Sequence, residues 1–158
     1  MSAVRINGIA VEDWRRAIAW VVVRARLRTR GYRDVRSLGP SLRLRFSASE
    51  GTYAVCGKGL GFADALILIP EEVAERFALR LTALREGTDD DGAVVLDPVT
   101  VTADAHSPTY RLTGPTMVAC TGGIHLTFSE ADRLIVALGR HRLARWGRGG
   151  VRAVDPAT

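Results

Sequence analysis

Glutamine is absent from the 158 residues, asparagine occurs once as Asn7, and lysine occurs once as Lys58. Nearly all of the 22 basic side chains are therefore arginine. A bias toward Arg, Ala, Gly and Val is what a very GC-rich genome produces, so arginine content alone does not identify a nucleic-acid binder. Arginine is nonetheless the better residue for bidentate contacts to phosphate or carboxylate. Cysteine is scarce, with only Cys56 and Cys120, which excludes a disulfide scaffold. Each cysteine sits in an apolar stretch and is expected to be a buried free thiol. Six prolines are too few for a fibre, and a chain that is 47% hydrophobic is too apolar to be disordered. Long apolar runs are missing as well. The longest clean one, Ala17 to Val23, is far short of the ~20 residues a membrane span needs. Glu12 and Asp13 interrupt the chain before a secretory apolar region could form. The expectation is a soluble protein with no membrane contact, cytoplasmic or held in a particle assembled inside a cell.

What is present fits a single core. A chain of this length can bury roughly 70% of its unfolded surface. One domain is expected over residues 1–146, followed by a Gly- and Arg-rich tail at 147–158. The net charge of +5 is unevenly spread. Residues 1–50 hold eleven arginines against four acids, residues 51–110 four cations against ten acids, and residues 111–158 seven arginines against three acids. Basic ends thus flank an acidic middle. That pattern fits a phosphate-binding surface, and equally opposite charges meeting inside the fold or between copies of the chain.

Periodicity locates the elements. Residues 3–11 read as an extended segment broken by the turn pair Asn7-Gly8. A first helix is expected from about Val11 to Arg30, with Val11, Trp14, Ile18, Val21, Val22 and Ala25 on one face and Gly31 as its stop. Leu42–Phe46 alternates as a strand, and Thr52–Cys56 and Ala65–Ile69 are further strands around a Ser49-Glu50-Gly51 loop. Pro70, Glu71 and Glu72 open a second helix that buries Val73, Phe77, Leu81 and Leu84 and ends at Gly87. Short strands follow at Ala93–Leu96, Val99–Ala103, Thr109–Thr113, Thr116–Cys120 and Ile124–Phe128. Thr127 and Glu130 form a capping box for a last helix, which Gly139 is placed to stop or kink before Arg140–Trp146. No internal repeat and no heptad run is visible. Strands and helices are segregated, so the expected fold is α+β: one mostly antiparallel sheet with about three helices. The first two helices should pack on one sheet face through Trp14, Ile18, Val22, Phe77 and Leu81.

Candidate chemistry is thin. Gly57, Lys58, Gly59 and Gly61 form a Gly-rich loop that could turn backbone N–H groups toward a phosphate, but the spacing fits neither the P-loop nor the dinucleotide fingerprint. Cys56, Cys120, His106, His125 and His141 show no local metal-ligand spacing, so neither a metal nor another cofactor is expected. Asp104, His106 and Ser107 are near in sequence only, and no nucleophile elbow exists. Asp89-Asp90-Asp91-Gly92 lacks the alternate spacing of a calcium loop. The stronger signal is arginine: Arg15, Arg16, Arg24, Arg26, Arg28 and Arg30 on the first helix, and Arg140, Arg142, Arg145, Trp146 and Arg148 near the end. No helix-turn-helix, RNA-binding signature or zinc finger accompanies them.

The expectation is a non-catalytic binding or assembly module. Its basic ends would meet an acidic partner surface, another copy of the chain, or nucleic acid. A structural accessory of an actinobacterial or phage particle is its specific form. A nucleic-acid-binding regulator is the first alternative, and a small enzyme holding a phosphate on the Gly57–Gly61 loop the second.

Overall fold

The computed structural model describes residues 5–6, 9–10, 21–40, 42–58, 64–87, 93–104, 107–117 and 122–147. Among them are ten strands and three helices, arranged as two four-stranded antiparallel sheets and a two-stranded ribbon. The fold is α+β. The ribbon pairs β1 (Arg5–Ile6) with β2 (Ile9–Ala10), so it brackets the expected turn pair Asn7-Gly8, itself outside the described residues. Helix α1 covers residues 21–29. The first sheet is a meander of β3 (Tyr32–Gly39), β4 (Leu42–Ser47), β5 (Thr52–Lys58) and β6 (Asp64–Pro70). β6 runs directly into α2 (Glu71–Glu86). The second sheet repeats the plan with β7 (Ala93–Leu96), β8 (Val99–Ala103), β9 (Thr109–Thr113) and β10 (Gly123–Thr127), which runs directly into α3 (Phe128–Arg142). The architecture is thus a four-strand meander plus helix, made twice. The sequence carries no repeat because the two units bring different side chains to the core.

The two sheets meet where β6 passes β10, and the Leu68 amide donates to the Pro115 carbonyl at 2.8 Å across that seam. One core then runs through both units. Tyr53, Val55, Ile67 and Ile69 of the first sheet, Val101, Leu112, Ile124 and Leu126 of the second, and Phe77, Leu81, Leu134 and Leu138 of α2 and α3 belong to it. Each such side chain, removed from water, contributes roughly 1.5–3 kcal/mol before conformational entropy is set against it.

Strand alternation sends the intervening residues to the other face of the first sheet. There Ala54, Cys56 and Leu66 pack with Met117 and with Val23 and Leu27 of α1. This corrects the expected packing. α1 and α2 lie on opposite faces of the first sheet, and Val22 is 44% exposed while Val23 is buried. The run from Ala17 to Val23 is apolar all round, so periodicity could not choose its buried face. Trp14 and Ile18 lie outside the described residues.

Other expectations fare variously. α2 buries Val73, Phe77, Leu81 and Leu84 and ends at Gly87 with φ 73°, as read from the sequence. The Thr127–Glu130 capping box forms. Cys56 is buried, as expected, and Cys120 lies outside the described residues. Gly139 does not stop α3, which runs on to Arg142 because its flanking Leu138 is fully buried and holds the helix in place. Thr116 and Met117 are irregular backbone rather than strand, and 118–121 is not described. β3 was not anticipated at all. The expected acidic turn at 89–92 and the tail from 148 onward also lie outside the described residues.

Candidate functional site

The last turn of α3 and the first turn of α2 build one polar and aromatic cluster. α2 begins without a side-chain cap at Pro70, so its first free amide needs another acceptor. The carbonyl of Gly51, in the β4–β5 turn, accepts from the Glu71 amide at 2.9 Å. That bond fixes the Glu71 side chain beside the end of α3. After Arg142 the chain widens into a π-helical turn, Leu143–Gly147. The wider turn lets consecutive residues Arg145 and Trp146 reach the same carboxylate. Arg145 Nε donates to Glu71 Oε1 at 2.8 Å, and the Trp146 indole N–H donates to the same oxygen. Arg142 adds a bond to the Glu71 carbonyl at 3.0 Å and one to Glu75 Oε2 at 3.2 Å.

The Arg145 guanidinium also lies 4.7 Å from the Phe46 ring and 4.9 Å from the Trp146 ring, a cation held between two aromatic faces. Phe46 in turn packs at a tilt against Tyr53, ring centroids 4.6 Å apart, and His141, 4.7 Å apart. The Tyr53 hydroxyl meets His141 Nδ1 at 2.8 Å. Burial, then the nearby Arg145 charge, push the His141 imidazole below its ordinary value. Burial, then the Glu71 charge, push the Tyr53 phenol up to about 12. At neutral pH both groups are therefore uncharged, and the bond joins a neutral phenol to a neutral imidazole.

A groove of about 540 Å³ opens on this cluster, lined by Gly31, Arg33, Asp34, Val35, Phe46, Ala48, His141, Ala144 and Arg145. One wall is the start of β3 and the end of β4; the other is the end of α3 and its π turn. Asp34, the one acid of the lining, sits 3.2 Å from Arg45 Nε and 3.5 Å from Arg43 Nη1. The Arg45 contact is an ion pair without a hydrogen bond, since its buried Nε–H is not aimed at the carboxylate. Arg33 is exposed and forms no ion pair among the described residues.

The expected arginines therefore meet different fates. Arg24, Arg26 and Arg28 stand exposed on α1, as does Arg140 on α3. Arg30 is held at the exit of α1, where its guanidinium forks onto Glu50 with Nη2 to Oε2 at 2.8 Å and lies 5.7 Å from the Tyr32 ring. Arg142, Arg145 and Trp146 are tied to the start of α2. Gly57 and Lys58 are ladder residues of β5, paired with Ala65 and Asp64, rather than loop. Arg15, Arg16, Arg148, Gly59 and Gly61 lie outside the described residues. Phe46, Tyr53, Glu71 and His141 were not singled out for this cluster by any spacing, because Tyr53 and His141 are 88 residues apart in the chain. Among the described residues no three of His, Cys, Asp and Glu gather closely enough to hold a metal ion. No helix among them is long and apolar enough to cross a membrane.

No family model and no curated protein matches the sequence.

Proposed function

We propose that the protein is a non-catalytic binding module whose groove receives an acidic segment of a partner protein. One observation carries the reading: the exits of the two basic ends, Gly31–Arg33 after α1 and Ala144–Arg145 after α3, form facing walls of one groove. Its single acid is already neutralised by two arginines, while Arg33 forms no ion pair among the described residues. The Phe46 ring and the His141 imidazole add an aromatic floor. Guanidinium groups suit a carboxylate-bearing chain.

The test is fluorescence anisotropy with a labelled glutamate-rich peptide and, separately, a short DNA duplex. The peptide should bind, and Arg33→Glu should weaken it by roughly tenfold or more. A specific feature favours nucleic acid as the second reading, namely the exposed Arg24, Arg26 and Arg28 on α1. On that reading duplex binds more tightly than peptide, with a log–log salt slope of about −0.9 per phosphate contacted. Duplex binding that ignores Arg33→Glu would transfer the function to α1.

A further inference from the structure

The groove holds one side chain whose charge changes near neutral pH. His141 lines it together with Arg33, Asp34 and Arg145. Its half-buried ring lies at a tilt on Phe46 and edge-on to Tyr53, whose ring centroid is 5.3 Å away. Nδ1 meets the Tyr53 hydroxyl at 2.8 Å, and Nε2 forms no hydrogen bond among the described residues. The choice of partner matters. A carboxylate in place of the phenol would hold the imidazole charged, and a cation would hold it neutral. A phenol oxygen both donates and accepts. The Tyr53 contact therefore survives the arrival of a proton on His141. Whichever nitrogen carries the single proton of the neutral ring, the imidazolium carries two, one for Tyr53 and one on Nε2 for a ligand. Burial, more than the Glu71 charge, pushes the Tyr53 phenol up to about 12, so it stays neutral throughout.

The surroundings of the ring oppose that proton in the free protein. Burial and Arg145 of the π turn disfavour it, while Glu71 at the start of α2 favours it. Glu71 is a partial counter-charge only, because its Oε1 already accepts from Arg145 and Trp146. Arg142, next to His141 in the chain, is paired with Glu75, and Arg140 on its other side is exposed. Across the groove β3 presents Arg33 and Asp34, and Asp34 is paired with Arg43 and Arg45. β4 brings the uncharged Phe46 and Ala48, and β5 brings Tyr53. Each of these acids thus has an arginine of its own. A carboxylate carried in by a ligand supplies the counter-charge that the ring lacks. We infer that His141 couples the groove to pH: an acidic segment seated between Arg33 and Arg145 draws a proton onto the imidazole, and so binds more tightly as the medium acidifies. This rests on the reading of the groove as the seat of an acidic segment. The coupling is reciprocal, since a proton on His141 favours the carboxylate by as much as the carboxylate favours the proton.

The experiment titrates the full chain with the labelled glutamate-rich peptide at fixed ionic strength. It runs from about pH 8 to about pH 5.5, a range in which glutamate, at about 4.3, stays ionised. Affinity should rise by roughly tenfold across that range, and His141→Gln should remove the rise. A second readout uses the wild-type chain alone, so it does not depend on how the variant folds. The imidazole resonances of His141, assigned through their contacts with Phe46 and Tyr53, are followed against pH with and without peptide. Their midpoint should move to higher pH in the complex. A midpoint that stays in place while the peptide is bound overturns the inference. So does an affinity that is flat with pH, or a rise that persists in His141→Gln with the circular dichroism of the wild type. Those results leave the groove as the seat of an acidic segment. A peptide that binds at no pH in the range overturns that reading and the inference together.

Discussion

Two arginine clusters that look alike in the sequence behave differently in the fold. Arg24, Arg26 and Arg28 on α1 stand in solvent. Arg142 and Arg145 at the end of α3 are bound by Glu71 and Glu75, and Arg145 is further enclosed by Phe46 and Trp146. The difference is what lies opposite. The end of α3 runs against the start of α2, where the helix dipole favours the acids Glu71 and Glu72. α1 instead covers a sheet face of Ala54, Cys56 and Leu66, and its outward Arg24, Arg26 and Arg28 form no ion pair among the described residues. A basic stretch thus becomes structure where the fold brings acids to it and remains a free surface where it does not. The acidic middle of the chain is partly the counter-charge of its basic end.

The largest effect should come from removing the shared carboxylate. Glu71→Ala takes the shared acceptor from the partly buried Arg145 and from the Trp146 indole and should cost about 1 kcal/mol in urea denaturation. A cost under about 0.5 kcal/mol would place this cluster with the free arginines.

The next effect is one of pH. An imidazole whose folded value lies below its ordinary 6.5 adds stability above 6.5, and that stability is lost as pH falls through the folded value. Wild-type stability should therefore fall as pH drops below about 6.5. His141→Gln keeps a hydrogen-bonding partner for Tyr53 and should flatten that slope. A slope that survives the change would assign the titration to another group.

The smallest effect sharpens the comparison from the other side. Arg24→Ala and Arg28→Ala should change stability by less than about 0.5 kcal/mol, as surface changes without partners do. A thermal melt that shifts by many degrees for either would show that α1 has counter-charges of its own.

Much of this fold was legible and most of its site was not. α2 announced itself by Pro70, Glu71, Glu72 and Gly87 around a clean apolar period, and α3 by Thr127 and Glu130. The strand β4 alternates through Leu42, Leu44 and Phe46, all buried. β3 escaped because its register with β4 shifts twice, between Asp34 and Arg36 and between Ser37 and Gly39, and each shift breaks the two-residue period. The face of α1 escaped for the opposite reason, an excess of apolar residues rather than a missing pattern. The groove was illegible in principle. Arg33 and Phe46 face each other across the β3–β4 hairpin, but His141 comes from α3, much later in the chain, and only the packing of helix on sheet puts the three on one surface.

The most direct test of the account is to map the bound glutamate-rich peptide on isotope-labelled protein by nuclear magnetic resonance. The account predicts shifts at Arg33, Phe46, His141 and Arg145, with the arginines of α1 undisturbed. Shifts confined to Arg24, Arg26 and Arg28 would contradict it and make the free cluster, not the groove, the binding surface.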